Sequence, residues 1–162
     1  MSSTSPGASG ETLKVYAESS AILAWVLGEG AAASVVETLS AASAVFASEL
    51  TVIEVDRGLD RAAWDGRLNS KQLSGARAVV NRAAAVWTII EIRGDIVERA
   101  RRPFPQEPIR TLDAIHLASA LAIRETVGPL SILSLDTRVR RSAFELGFPL
   151  VPAMGDSIHE PG

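Results

Sequence analysis

The chain has 162 residues, no cysteine and a formal net charge of −3 at pH 7. This length is that of one domain with a core of its own. The absence of cysteine excludes a disulfide framework, thiolate metal sites and cysteine nucleophiles. The negative net charge argues against a protein that coats nucleic acid without specificity. Because only 5% of the residues are aromatic and 47% are hydrophobic, the core has to be built mainly from aliphatic side chains.

The two ends of the chain differ in composition from the part between them. The first ten residues, MSSTSPGASG, carry no positive charge and no apolar run, so they are typical of a disordered tail and not of a secretory signal. Residues 153–162 also have a composition typical of a disordered tail. No apolar run approaches the roughly 20 residues that span a bilayer. We therefore expect a cytoplasmic protein with one domain at 11–152 between tails at 1–10 and 153–162.

Short β-type runs alternate with longer helical patterns along the chain. The predicted strands are 13–17, 44–47, 88–92, 130–134 and 149–151. The predicted helices are 20–27, 31–41, 49–64, 70–86, 96–102, 112–127 and 137–146. Strands that alternate with helices need right-handed crossovers, which give a parallel sheet covered on both faces. The pattern therefore predicts a three-layer α/β/α sandwich with a parallel sheet of about five strands.

Four carboxylates fall where these elements would bring them together. Glu18 directly follows the first strand and Asp136 follows the fourth, while Glu54 and Asp113 lie in otherwise apolar helical segments. Ligand crevices of parallel sheets lie at the carboxyl ends of strands. A bare buried charge costs several kcal/mol, and no lysine stands near these acids to neutralise them. The sequence therefore predicts a site for Mg²⁺ or Mn²⁺, of the kind suited to phosphodiester hydrolysis.

Each of these acids also has a simpler interpretation. Glu18 and Asp136 could cap the helices that begin after them, and capping is compatible with metal binding. Asp113 could be a first-turn acid of its helix, and Glu54 could pair with the arginine three residues further on. His116 lies three residues after Asp113 on the same helix face. We interpret it as a half-buried core histidine with satisfied hydrogen bonds and not as a metal ligand.

Several arginines lie beside the acidic motifs, and only two lysines occur in the chain. The planar guanidinium suits the phosphate group, so Arg110, Arg138 and Arg140 are candidates for binding the RNA backbone. The alternative is that arginine replaces lysine throughout because the gene is rich in G and C. The sequence alone leaves both interpretations open.

In order and spacing, these motifs resemble the PIN-domain ribonucleases, specifically the VapC-type toxins of bacterial toxin–antitoxin pairs. The segments that carry the resemblance are VYAESSAILAWVLGE, ASELTVIEVDRGL, RTLDAIHLASAL and SLDTRVRRSAFELGFPLV, and it extends over residues 13–151. No one motif is specific, but all occur in order. The family usually has Asp, followed by Ser or Thr, where this chain has Glu18 before Ser19 and Ser20. The extra methylene moves the carboxylate by roughly an ångström.

The resemblance implies a PIN-like fold and an acidic site that is both catalytic and metal-binding. The acids of this site would be Glu18, Glu54, Asp113 and Asp136. Ser20 would orient the first carboxylate, and Ser134 would occupy the comparable hydroxyl position beside the fourth strand. The cofactor would be Mg²⁺ (or Mn²⁺).

The resemblance also implies an activity and partners. Metal-activated water would attack phosphorus in line and leave a 5′-phosphate and a 3′-hydroxyl. The substrate would be a structured RNA, tRNA or rRNA, and the partners a VapB-type antitoxin and a second copy of the chain. The alternative is a catalytically weak PIN-like domain that binds RNA or protein, because Glu18 is unusual. A receiver domain would need a phosphorylatable Asp after the third strand and a Lys after the fifth, but the third strand ends in Glu91-Ile92-Arg93-Gly94 and no Lys follows residue 71.

Overall fold

The computed structural model describes residues 12–155, which contain five strands in one parallel sheet. The strands are β1 (Lys14–Ala17), β2 (Ala44–Ser48), β3 (Thr88–Ile90), β4 (Ser131–Leu133) and β5 (Leu150–Val151). Their order across the sheet is β3-β2-β1-β4-β5. β1 is central, and the chain builds the sheet outward from it first on one side and then on the other. The carboxyl end of β1 is therefore the topological switch point, where ligands bind in open α/β sheets.

Seven helices connect these strands within residues 12–155. They are α1 (Ser19–Leu27), α2 (Ala32–Ala41), α3 (Glu49–Trp64), α4 (Ser70–Ala84), α5 (Gly94–Ala100), α6 (Thr111–Val127) and α7 (Thr137–Glu145). All seven were predicted, and their ends differ from the predicted ones by at most two residues. The start of α4 shows what sets such an end: the Asn69 side chain accepts from the Gln72 N–H while Gln72 reaches back to the Asn69 N–H, the reciprocal capping box.

The sheet separates two hydrophobic cores. Side chains alternate across β1, so Val15 and Ala17 pack into one core with α1, α3 and α4, whereas Tyr16 packs into the other with α6 and α7. β4 alternates in the same way, with Ile132 on the α6 side and Leu133 on the α1 side. Helices cover both faces, and the predicted three-layer α/β/α sandwich is confirmed.

The predicted ends of the domain fall largely on residues that the structure does not describe. The tail at 1–10 lies outside the described residues, and so does the tail at 153–162 except for residues 153–155, which have no regular secondary structure. Within residues 12–155, no single helix is long and apolar enough to cross a membrane. Only α1 and α2 taken together, with a bend of 115° between them, reach that length and composition.

At the carboxyl edge of the sheet, contacts with the end of β1 bring the starts of α1 and α3 close to the end of β4. Ala17 is in register with Leu133, and the next N–H, that of Glu18, donates to the Leu133 carbonyl at 2.9 Å. α3 starts directly after β2, and Thr51 in its first turn donates a hydrogen bond to the Ala17 carbonyl at 3.0 Å. The starts of α1 and α3 are thus fixed to the same end of β1, beside the end of β4.

Candidate active site

Glu18 ends β1 and caps α1, and its side chain is held by neutral donors. The residue is only 5% exposed. One carboxylate oxygen accepts from the Ser19 hydroxyl at 2.8 Å and the Ser20 N–H at 3.1 Å. The other oxygen accepts from the Ser20 hydroxyl and, at 2.7 Å, from the Ser134 hydroxyl. The predicted capping interaction is present, and these donors stabilise the buried carboxylate without cancelling its charge.

The two serines predicted beside Glu18 also connect it to the loop after β4. The Ser20 hydroxyl accepts from the backbone N–H groups of Leu135 at 2.9 Å and Asp136 at 3.1 Å. The Ser134 hydroxyl accepts from the Asp136 N–H at 3.1 Å. Because each hydroxyl accepts from this loop while it donates to Glu18, the serines fix the position of Asp136 relative to Glu18.

Glu54 on α3 lies across from Glu18 and contacts His116 on α6. One Glu54 oxygen accepts from the Ser19 hydroxyl at 3.0 Å and forms a short hydrogen bond with His116 Nε2. The same histidine nitrogen lies 4.0 Å from a Glu18 oxygen. The alternative pairing of Glu54 with Arg57 is not formed, since Arg57 instead lies near Asp60, with N and O atoms 3.9 Å apart.

The environment of Glu54 lowers its pKa below the ordinary value. Burial alone would raise the pKa, because it disfavours the charged form. The hydrogen bond and the charge of His116 act in the opposite direction, and the Ser19 hydroxyl and Arg110 add to them. The carboxyl group of Glu54 is therefore ionised at neutral pH, as a metal ligand must be.

Asp113 and Asp136 share a positively charged partner. The Arg110 guanidinium donates to both Asp113 oxygens, at 2.7 and 3.0 Å, and to an Asp136 oxygen at 3.1 Å. The predicted absence of a compensating charge is therefore wrong for these two acids. The sequence lacks lysine here, but an arginine three residues before Asp113 shares its helix face.

Asp136 also caps α7, as predicted. Its second oxygen accepts from the backbone N–H groups of Arg138 at 2.8 Å and Val139 at 3.2 Å. Burial raises the pKa of Asp136, but these backbone hydrogen bonds and Arg110 outweigh burial, so the pKa is lower than usual. In turn, hydrogen bonding to Asp113 raises the pKa of Arg110 above its ordinary value. The two acids and the arginine form one charged hydrogen-bonded unit.

The arginines predicted to bind RNA have different surroundings. Arg140 is half-buried and donates to the carbonyls of Ser134 and Val151 at 2.9 and 3.3 Å, and burial lowers its pKa. Arg138 is exposed. Beside Asp113 lies a groove of about 460 Å³, whose basic lining residues are Arg110, Arg138 and Arg141. Arg110 and Arg140 thus have partners within the protein, whereas Arg138 and Arg141 are exposed and line this groove.

The buried part of the site offers ligands for one cation. Among residues 12–155, Glu18, Glu54 and His116 each present a ligand atom, and these atoms lie within 4.8 Å of one another. Two of the three donors are carboxylate oxygens, the ligands that Mg²⁺ and Mn²⁺ prefer, so the donor set fits a divalent cation. His116 and Ser19 had not been predicted at the site. His116 was expected to be a half-buried core residue, but it is only 2% exposed and contacts an acid of the site.

With this geometry established, the chain can be compared with known proteins. Comparison with curated protein sequences gives no match. Among solved structures, FitAcB from Neisseria gonorrhoeae is similar with a TM-score of 0.63 and 16% identity, over 84% of this chain and 95% of that one. VapC20 from Mycobacterium tuberculosis, described as a sarcin-ricin loop cleaving toxin, is similar with a TM-score of 0.56 and 16% identity, over 78% of this chain and 93% of that one.

A third solved structure and a family model agree with these similarities. PAE2754 from Pyrobaculum aerophilum has a TM-score of 0.53 and 16% identity, over 85% of this chain and 83% of that one. At such identities the structures show a shared fold. The family model described as the PIN domain matches residues 15–145, which include all four acids. PIN domains are generally nucleases, and this chain belongs to the PIN domain family.

Proposed function

We propose that this protein is a divalent-metal-dependent endoribonuclease and the toxin of a toxin–antitoxin pair. The observation that carries the proposal is the approach of the buried Glu18 and the half-buried Glu54 at the switch point of the sheet, where one serine hydroxyl contacts both acids. Among residues 12–155, no arginine or lysine forms an ion pair with either carboxylate. Two ionised carboxylates in one crevice repel each other, and a cation between them stabilises both.

In the proposed reaction, each side chain of the site has a definite task. Glu18, Glu54, Asp113 and Asp136 hold Mg²⁺ or Mn²⁺, and Ser20 and Ser134 keep Glu18 in place. When bound, such a cation activates water for attack on phosphorus and neutralises charge on the scissile phosphate. No histidine or serine nucleophile is required. The products are a 5′-phosphate and a 3′-hydroxyl.

The groove beside Asp113 is the proposed path of the RNA backbone. Arg138 and Arg141 line it together with Arg110, and arginine binds phosphate in a forked, two-point geometry. Arg110 forms ion pairs with two acids of the site. When these acids bind the cation, Arg110, which lies beside them, would contact a phosphate of the RNA. Arg140 donates to backbone carbonyls of Ser134 and Val151. The predicted roles of Arg110, Arg138 and Arg140 toward RNA remain part of this proposal.

The biological role rests on the family and on the fold shared with a described toxin. VapC20 is described as cleaving the sarcin-ricin loop, which supports a structured RNA, tRNA or rRNA, as substrate of this chain. A VapB-type antitoxin, a homodimeric state and a cytoplasmic location belong to the same proposal. Exposed apolar side chains such as Trp64 and Phe144 offer surface on which a protein partner could pack.

One observation favours a second candidate, a PIN-like domain that binds RNA or protein without efficient cleavage. Arg110 neutralises Asp113 and Asp136, and the first acid is Glu18 where the family usually has Asp. Both features would weaken metal binding. The two candidates differ in whether the chain cleaves RNA.

Cleavage of RNA by the purified chain distinguishes the two candidates. We expect cleavage of total RNA with Mg²⁺ or Mn²⁺, none with EDTA, and 5′-phosphates on the downstream fragments. Asp113→Asn should abolish cleavage, because it removes a charge from the metal site and keeps the side-chain shape. Asp95→Asn, at an exposed position of α5, is the matched control and should cleave normally. RNA binding without cleavage by the wild-type chain would instead support the binding module.

A further inference from the structure

The least expected contact of the site is a hydrogen-bonded chain that enters it from the core. His116 Nδ1 lies 2.7 Å from the Tyr16 hydroxyl, and that hydroxyl lies 3.0 Å from the Ser48 hydroxyl. On the opposite side of the ring, Nε2 forms the short hydrogen bond with Glu54. Tyr16, Ser48 and His116 are all buried. This series of hydrogen bonds runs from the interior of the sheet to an acid at its edge.

The positions of the protons in this series of hydrogen bonds follow from the groups that the bonds join. The Glu54 oxygen that contacts Nε2 also accepts from the Ser19 hydroxyl. As a carboxylate oxygen it accepts from the ring as well, so Nε2 carries the proton. Nδ1 can accept from the Tyr16 hydroxyl, with the ring neutral, or donate to it, with the ring positively charged. In both arrangements the Nε2–H group points at Glu54. Because Nε2 carries a proton, this nitrogen has no free lone pair with which to bind a cation.

Both ends of the imidazole are held, so the ring cannot turn. Rotation about the Cβ–Cγ bond would take Nδ1 away from the Tyr16 hydroxyl and leave this buried ring nitrogen without its partner, and an unsatisfied buried polar group costs about 1–3 kcal/mol. The Tyr16 ring also packs edge-on against the imidazole, with the centroids 5.9 Å apart. The Nε2–H group thus reaches the Glu54 carboxylate from a fixed direction.

We propose that His116 is a positioning residue that holds the Glu54 carboxylate in the orientation in which it binds a divalent cation together with Glu18. Tyr16 fixes the ring, and the ring fixes the carboxylate. Partners that hydrogen-bond to a ligating side chain in this way commonly change metal affinity or activity by about 10–100-fold. The inference rests on the proposed metal site, and it assigns His116 a role as a donor to a ligand instead of a ligand itself.

The protonation of His116 can be observed directly by NMR. The chain has only two histidines, so a long-range ¹H–¹⁵N correlation spectrum shows two ring patterns, and His159→Gln removes one of them. We expect a protonated Nε2 for His116, both without a divalent ion and with saturating Mg²⁺. An unprotonated Nε2, or loss of its proton when Mg²⁺ is added, would mean that the lone pair faces the site and would overturn the proposal.

Mn²⁺ binding, measured by electron paramagnetic resonance of the free ion, tests the consequence. His116→Met removes the donor at similar volume and should weaken Mn²⁺ binding by about 10–100-fold. His116→Gln keeps an N–H group near the place of Nε2 and should recover most of the affinity. Tyr16→Phe, which keeps the ring but releases Nδ1, should fall between them. His159→Gln is the control and should bind as the wild type does.

The outcomes separate this inference from the proposed function. If the wild-type chain binds Mn²⁺ and His116→Met binds it equally well, the positioning role is wrong while the metal site stands. If the wild-type chain binds no Mn²⁺, the metal site fails and the positioning role fails with it. Should His116→Met not fold, as judged by circular dichroism, Tyr16→Phe and the wild-type NMR pattern still decide the question.

Discussion

The acidic site has two halves that hold negative charge in opposite ways. In the buried half, Glu18 and the half-buried Glu54 are held by serine hydroxyls and by His116. The exposed half is named for Arg110, whose side chain is 52% exposed, and it also contains Asp136 and the buried Asp113. Here the arginine forms ion pairs with both acids. The buried half therefore retains charge for a cation, whereas the exposed half is already compensated by a side chain of the same protein.

The difference follows from access to water. The Arg110 side chain is 52% exposed, so it can leave its partners for solvent or for a phosphate at little cost in desolvation. A fixed arginine in the buried half would form a buried ion pair that competes with any metal, and breaking such a pair is costly. Neutral hydroxyls avoid that competition. We infer that the cation is anchored by the buried half and that the exposed half adjusts as substrate arrives.

The largest expected effect on Mn²⁺ affinity is the loss of an anchoring acid in the buried half. Glu54→Gln keeps the shape but removes the charge, and metal ions contribute several kcal/mol to such reactions. We expect Mn²⁺ affinity and RNA cleavage to fall on the order of a hundredfold or more, because each 1.4 kcal/mol is a factor of ten. Isothermal titration with Mn²⁺ and a fluorogenic RNA assay measure the two quantities. Glu37→Gln, exposed on α2, is the control, and an equal effect there would contradict the assignment.

The second effect should have opposite signs for metal binding and for RNA binding. Arg110→Ala removes the cation that competes at Asp113 and Asp136, and half-exposed ion pairs contribute up to about 1 kcal/mol each. We expect Mn²⁺ to bind up to about tenfold more tightly, while RNA binds more weakly and depends less on salt concentration. Arg101→Ala, which breaks an exposed ion pair with Glu98 on α5, should change neither. Weaker Mn²⁺ binding by Arg110→Ala would show that Arg110 supports the metal site and does not compete with it.

A third variant tests the hydroxyls of the buried half. Ser134→Ala removes a donor to Glu18 and an acceptor for the Asp136 N–H. Leaving buried groups unsatisfied should lower the free energy of unfolding by about 1–3 kcal/mol, and the looser Glu18 should weaken Mn²⁺ binding by less than Glu54→Gln does. Urea denaturation measures the first effect. Ser40→Ala, exposed at the end of α2, should leave stability unchanged, and equal stability of the two variants would remove Ser134 from the account.

The smallest expected effect is on the stability of the folded protein at low pH, through Asp136 of the exposed half. The pKa of Asp136 is lower in the folded protein than its ordinary value of 3.8, so its charge stabilises the fold above about pH 4, and this contribution is lost as the pH falls through the lowered folded pKa. Asp136→Asn keeps a capping side chain but no charge. We expect it to be less stable than the wild type by at most about 1 kcal/mol at pH 7, and the difference to vanish once the pH falls below the lowered pKa of the folded protein. A difference that grows on acidification would contradict the pairing.

The sequence predicted the fold and the convergence of the acids more fully than their contacts. Local signals locate the helices, because caps and apolar periodicity lie within a few residues of each other. The meeting of Glu18 and Asp136 follows from the neighbouring strands β1 and β4. The hydrogen bond between Glu54 and His116 joins residues 62 positions apart, and nothing in the local pattern specifies it. The ion pair between Arg110 and Asp113 does have a local signal, their spacing of three residues, but the sequence interpretation assigns Arg110 to RNA phosphate instead.

The central claim is that one divalent cation is anchored by Glu18 and Glu54. The most direct test is an anomalous difference map from crystals of the protein soaked in Mn²⁺. The account predicts a peak about 2.0–2.2 Å from an oxygen of each of these two carboxylates, with His116 Nε2 outside the coordination shell. A Mn²⁺ peak that lies next to Asp113 and Asp136 alone would contradict the claim. So would the absence of any peak after a soak at saturating Mn²⁺ concentration.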